Sequence, residues 1–239
     1  LTFDILRGMA LMGILVVHIT SGMDWMFASP AQRELMPFPE LNNTIGSIID
    51  FLFISKSRAL FAFMFGVSFF LQFKSTKPKQ KPFHVTFLWR LCILMILGLL
   101  HAHFLFGADI LRYYAVGGLL LIFAHKWSDK TLLIIGFLLT VAIPTIYSLI
   151  IDLNNINPYA NIDLEGIHNG LMSTSYSDNL QTNHIEALIR YYPALLINFA
   201  VPVTGIFLFG IWMARRNYIQ ESNKHVKTLK RFLFWGLGL

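Results

Sequence analysis

Long runs of apolar residues alternate along this chain with short polar connections, and the runs have the length of membrane-crossing helices. Stretches of about 20 apolar residues, enough to span a bilayer with some tilt, occupy Ile5–Gly22, Ile48–Phe73, Leu88–Phe106, Ile110–Phe123, Leu132–Ile151 and Leu195–Met213. A seventh begins at Phe232. The second run is interrupted by Lys56, Ser57 and Arg58, and the fourth is short. The first continues into Met23, Asp24 and Trp25 rather than a small-residue cleavage site, so it is expected to be retained. The pattern predicts an all-α, polytopic transmembrane helix bundle of six spans plus the start of a seventh, a single transmembrane domain over residues 1–239. A start at Leu1 and a stop inside an apolar run lead us to expect the N-terminal part of a longer protein.

Composition agrees with the pattern. Of the 239 residues 55% are hydrophobic, 22 are Phe and only 13% are charged, against roughly 25% charged in a soluble domain. The lone Cys92 sits in an apolar run, so no disulfide framework exists. A net charge of +6 would suggest nucleic acid only if it formed a basic patch on a soluble face.

The basic residues are instead sorted by side. The connections Lys74–Arg90, His125–Thr131 and Ala214–Arg231 hold thirteen lysines and arginines, and the alternating ones, Asp24–Thr44, His101–Asp109 and Asp152–Arg190, hold two. By the positive-inside rule the first set is cytoplasmic and so is the N-terminus. Trp89, Trp127, Trp212 and Trp235 then fall near the cytoplasmic interface, and Trp25, Tyr191 and Tyr192 near the other. The long segment 152–190 becomes an extracytoplasmic loop, read as a solvated connection whose tail from Asn183 to Tyr192 has the option of a short interfacial helix.

Four cations remain inside or at the rim of spans: Arg7, Lys56, Arg58 and Arg112. Each costs about 2.5 to 3.5 kcal/mol at mid-bilayer on insertion scales unless a cavity and a partner receive it, which makes each a candidate functional residue. The nearby acids are Asp4, Asp50 and Asp109. Arg7 and His18, eleven residues apart, return to within about 20° of the same helix face and about 16 Å along the axis, with Asp4 one turn before. That face is expected to point into the bundle, although Arg7 snorkelling to headgroups and His18 bonding a carbonyl would fit as well. Arg90 and His101 repeat the spacing in the third span.

His101, His103 and Asp109 gather at the outer ends of the third and fourth spans, with Arg112 one turn on. A carboxylate beside an imidazole raises its basicity and fixes its tautomer, as a general base acting on a hydroxyl requires. Since positions 101 and 103 are about 200° apart on a helix, only one is expected to face inward, and the shared register favours His101. A structural network of Asp109 with Arg112 or Tyr113 is the alternative. No set of Cys, His or acids completes a metal site. Lys56 and Arg58 are read as holding an anionic group, neutralising Asp50, or reaching cytoplasmic water from a broken helix.

Three ordered blocks carry a family resemblance: Phe3-Asp4-Ile5-Leu6-Arg7-Gly8-Met9-Ala10-Leu11-Met12-Gly13-Ile14, Lys56-Ser57-Arg58-Ala59-Leu60-Phe61-Ala62-Phe63-Met64-Phe65-Gly66-Val67, and Gly98-Leu99-Leu100-His101 followed by Gly107-Ala108-Asp109-Ile110-Leu111. Together they resemble the YeiB-like bacterial inner-membrane proteins. That family is similar in turn to the transmembrane acyltransferases, which include sugar O-acetylases and a lysosomal heparan glucosaminide N-acetyltransferase, and the bridge is the Arg7-x10-His18 pattern. Where YeiB-like proteins usually carry Asn at the later position this chain has His18, which strengthens the acyltransferase analogy.

The resemblance implies a multi-pass protein of the bacterial inner (plasma) membrane with no bound cofactor, using acyl-CoA as co-substrate. An acyl (acetyl) group would pass to an extracytoplasmic hydroxyl or amine such as that of a sugar. His18, His101 and Asp109 are the expected catalytic set, and Asp4, Arg7, Lys56, Arg58 and Arg112 the expected substrate-binding set. Partners are the lipid bilayer and a small molecule, not nucleic acid. A transporter of a small anionic or sugar-like solute uses the same residue types, and a partner-binding membrane subunit is the third possibility.

Overall fold

The computed structural model describes residues 2–22, 37–75, 82–157, 160, 162–218, 224, 226 and 227. Among these the regular structure is helical, with no strand. Helices satisfy their backbone groups internally, the condition that lipid imposes on a spanning chain. The seventh apolar run from Phe232, together with Trp25, Trp235 and the connection over 76–81, lies outside the described residues.

Helix α1 is Thr2–Gly22. Helices α2 (Pro39–Ile49) and α3 (Ser55–Ser75) are joined by a π-helical turn at Asp50–Ile54. Then come α4 (Phe83–Phe104), α5 (Leu111–Ala124), α6 (Asp129–Leu153), α7 (Leu164–Leu171), α8 (Tyr176–Ile189) and α9 (Pro193–Arg215). Three of them, α4, α6 and α9, are long and apolar enough to cross a membrane, and α5 is equally apolar but shorter. They mark the chain as a membrane protein. Leu97, Leu100, Val116, Phe137 and Leu149 on these helices are exposed; in a bilayer such side chains meet lipid tails at no hydrophobic cost.

Two further π-helical turns have a covalent cause. In α6 the turn Leu138–Ala142 precedes Pro144, and in α9 the turn Leu196–Ala200 precedes Pro202. A proline ring inside a helix removes one N–H and crowds the carbonyl four residues back, and a widened turn absorbs the clash without breaking the rod.

The α9 rod is the hub, packed against α3, α5 and α6. Its crossing with α3 is set by glycines: a Cβ on Gly66 would overlap the Phe207 carbonyl oxygen, and one on Gly210 the Phe63 carbonyl oxygen. Backbones approach this closely only where no side chain intervenes, as is common between membrane helices. Around that crossing the phenylalanines of α3 recur at helical spacing. Phe65 meets Phe207 at 4.8 Å with the rings tilted by 36°, Phe69 meets Phe87 edge-on at 4.6 Å, and Tyr114 meets Phe207 edge-on at 5.0 Å. Buried aromatic pairs in such geometries add about 0.5–1.5 kcal/mol beyond their area.

Two sequence expectations change here. The segment 152–190 carries two helices, α7 and α8, and although most of its described residues are exposed, α8 buries Thr182, Asn183, Glu186 and Ala187. Residues three and four apart share a helix face, so a polar composition still delivers one packed side. The helix does not break at Lys56 and Arg58: the irregular turn precedes them, and α3 passes through both.

Candidate functional site

On α1, Ala10 and Gly13 are buried between Arg7 and His18. Gly13 lies so close to α3 that a Cβ would overlap Ser57 Oγ. This contact fixes the rotation of α1 and turns His18 inward, where its ring lies 4.8 Å from Phe106 and stacks at 6.3 Å, inclined by 23°, on His101.

His101 comes from the last turn of α4, and the short turn that follows returns Asp109 to it, with Nδ1 and Oδ1 3.1 Å apart. Asp109 is fully buried, and its Oδ2 accepts the Arg112 backbone N–H at 3.0 Å. A carboxylate on the free N–H groups of a helix start, here that of α5, is favourable. The Arg112 Nε stands 3.5 Å from the same oxygen, close enough for charge pairing but without a hydrogen bond. Gly98 makes the convergence possible, since a Cβ there would stand 2.9 Å from both Asp109 Oδ2 and the Arg112 nitrogen.

Arg112 then draws in α8. Its guanidinium donates to the carbonyls of Gly107 at 3.3 Å and Ala187 at 3.4 Å and to the Tyr191 hydroxyl at 3.3 Å. Next to Ala187, Glu186 Oε1 accepts from Arg190 at 2.7 Å, whereas its buried Oε2 has no hydrogen-bond partner.

Between α1, α3, α5, α8 and α9 these groups line a half-open pocket of about 140 Å³. Ile14, Val17, Phe106 and Val203 give it apolar walls, and His18, Asp109, Arg58, Glu186 and Arg190 add polar ones. The Arg58 and Arg190 guanidiniums both lie over the Phe199 ring, at 4.6 and 5.9 Å. An apolar cavity with a few convergent polar groups is the usual form of a small-molecule site.

The structure thus joins His18, His101, Asp109 and Arg58, with Arg112 behind Asp109. It does not bring in the other three expected binding residues. Asp4 and Arg7 pair at 3.2 Å, and Arg7 donates to Ser68 Oγ at 2.5 Å, about 16 Å along α1 from His18. Lys56 is exposed, donates to the Phe51 carbonyl and lies over the Phe51 ring, so it shares no anion with Arg58 two residues on. The Asp50 side chain is not among those described. Arg90, which echoes Arg7 in spacing, bonds Gln72. His103 meets His184 of α8, their Nδ1 atoms 3.0 Å apart, so the two histidines of α4 diverge as the helical period requires. Among the described residues no three His, Cys, Asp or Glu side chains form a possible metal-ligand set.

Glu186, Arg190 and Phe199 are cavity residues that sequence reasoning missed. The available signal was the spacing of Asn183, Glu186, Ala187 and Arg190, which places all four on one side of a helix.

The chain is similar to the uncharacterized protein YxaH of Bacillus subtilis (strain 168), 28% identical over 252 residues, which cover 99% of this chain and 62% of that protein. It is also similar to an uncharacterized 39.9 kDa protein in the amylase 3' region of Bacillus acidopullulyticus, 29% identical over 138 residues, or 58% of this chain and 37% of that one. The chain spans less than two thirds of the length of either relative. No family model matches it, and no solved structure does.

Proposed function

We propose that the protein is a YeiB-like, multi-pass protein of the bacterial inner membrane that moves a short acyl group from cytoplasmic acyl-CoA to an extracytoplasmic hydroxyl or amine. The observation that carries this reading is the cavity wall on which His18 and Asp109 stand beside the His101 ring, with Arg58 in the same pocket.

In this reading the N-terminus is cytoplasmic and six spans are formed by α1, the 39–75 segment, α4, α5, α6 and α9. The acyl-CoA phosphates stay at the basic cytoplasmic connections, and the pantetheine arm carries the thioester along α1 into the cavity. His18 takes the proton of the acceptor as its oxygen or nitrogen attacks the thioester carbon. The oxyanion of the tetrahedral intermediate forms against the Arg58 guanidinium. The carbon–sulfur bond then breaks, and His18 returns the proton to the leaving thiolate. His101, held on Asp109, positions His18 through the contact of their rings, and the Asp109 carboxylate favours the charged form of His18. Arg112 holds the carboxylate in place.

The test uses full-length protein in liposomes with labelled acetyl-CoA on the basic side and an acceptor panel on the other. Label transfer is expected, and His18→Ala is expected to lower it by about 10² to 10⁴-fold, the range of a general base. Transfer that is absent for every acceptor, or equal in wild type and His18→Ala, overturns the proposal. Solute flux without acyl donor, abolished by Asp109→Asn, would establish transport instead.

A further inference from the structure

The charges around the cavity do not balance. Asp109 is engaged by His101 and Arg112, and Glu186 by Arg190. Arg58 is left with the face of Phe199, and among the described residues no carboxylate or hydrogen-bond acceptor engages its guanidinium. Three guanidiniums against two carboxylates leave one excess positive charge beside a largely apolar pocket. A cation–π contact offsets only part of the cost of an arginine without a carboxylate in an apolar setting. A bound anion would close the difference.

From this imbalance we infer that the cavity is a binding site for a free short-chain carboxylate, its head on Arg58 and its alkyl tail against Ile14, Val17 and Val203. The walls select the class. Phosphate and sulfate are strongly hydrated tetrahedral anions that need donors all round, whereas these walls offer mostly carbon. The volume selects the length. A closed apolar cavity of about 150 Å³ accepts benzene, so the about 140 Å³ of this half-open pocket covers roughly six heavy atoms, the size of butyrate, and a longer chain would leave its end outside the apolar walls. Glu186 limits affinity, because its carboxylate, paired with Arg190 through one oxygen only, stands on the same wall. The inference rests on charge and volume, and it holds whether or not the cavity carries out acyl transfer.

The experiment measures binding of ¹⁴C-butyrate to full-length protein in nanodiscs, with unlabelled acetate, butyrate, octanoate and phosphate as competitors. Saturable binding is expected, displaced by acetate and butyrate but not by octanoate or phosphate. Arg58→Gln is expected to weaken it by about tenfold or more, the scale of losing a charge-assisted contact, and Glu186→Gln to strengthen it. Ile14→Phe, which fills the cavity without touching a charge, is expected to abolish butyrate binding even if Arg58→Gln fails to fold. The inference is overturned by the absence of saturable binding, by octanoate or phosphate competing as well as butyrate, or by wild-type affinity in Ile14→Phe or folded Arg58→Gln. Butyrate binding without label transfer from acyl-CoA would sink the catalytic proposal and leave this one standing.

Discussion

Asp109 ties the end of α4 to the start of α5. One carboxylate oxygen faces His101, and the other takes the start of α5 and the Arg112 charge. Removing it strands a buried guanidinium, and breaking a buried pair from one side costs about 3–5 kcal/mol. Asp109→Ala is therefore expected to lower the denaturation midpoint of the purified protein sharply. His101→Phe leaves the Asp109 pairing with Arg112 intact and is expected to cost less than half as much in the same measurement. This contrast also explains what a reader of the sequence sees. His18, Arg58, His101, Asp109 and Arg112 stand out because a polar group in an apolar run demands a reason. Glu186 and Arg190 sit in a polar segment where a charge needs none, and only folding buries Glu186 and partly covers Arg190.

At the scale of elements, close approach of backbones decides stability. Gly66→Leu forces α3 away from the Phe207 carbonyl, and overpacking of that kind costs about 1–3 kcal/mol or more. Gly8→Ala is the control, since nothing stands within 4 Å of a Cβ there. It is expected to be neutral or to gain up to about 1 kcal/mol from helix propensity, in the same denaturation assay. Helix α8 is tested by thiol accessibility in a Cys92→Ser background. A cysteine at exposed Ile185 is expected to react with a water-soluble maleimide, and one at buried Ala187 to be protected at least tenfold. Equal labelling would return the segment to the solvated loop that its composition suggests. The long spans were legible because a period of apolar residues reports burial or lipid contact whatever the neighbours are. The π-helical turns before Pro144 and Pro202 were not, because the sequence locates the proline but not how the helix accommodates it.

At the scale of the whole molecule, the distribution of basic residues makes a topological claim. With six spans and a cytoplasmic N-terminus, a cysteine at Asp178 is expected to react with an impermeant reagent in intact cells, and one at Lys130 only after permeabilisation. The reverse pattern, or equal reaction at both, would discard the orientation and with it the direction of the proposed transfer. The sequence by itself determined that the chain is helical and membrane-embedded, and it singled out the polar residues that an apolar segment cannot carry without cause. Both follow from local physics, the lipid cost of an unpaired backbone or charge. Which polar residues meet was decided only by the tertiary structure. The glycine contacts that rotate α1 and let α9 cross α3, and the α8 face that closes over Arg112, depend on residues distant in the chain. They place His18 with Asp109 and Arg58, and leave Asp4, Arg7 and Lys56 outside.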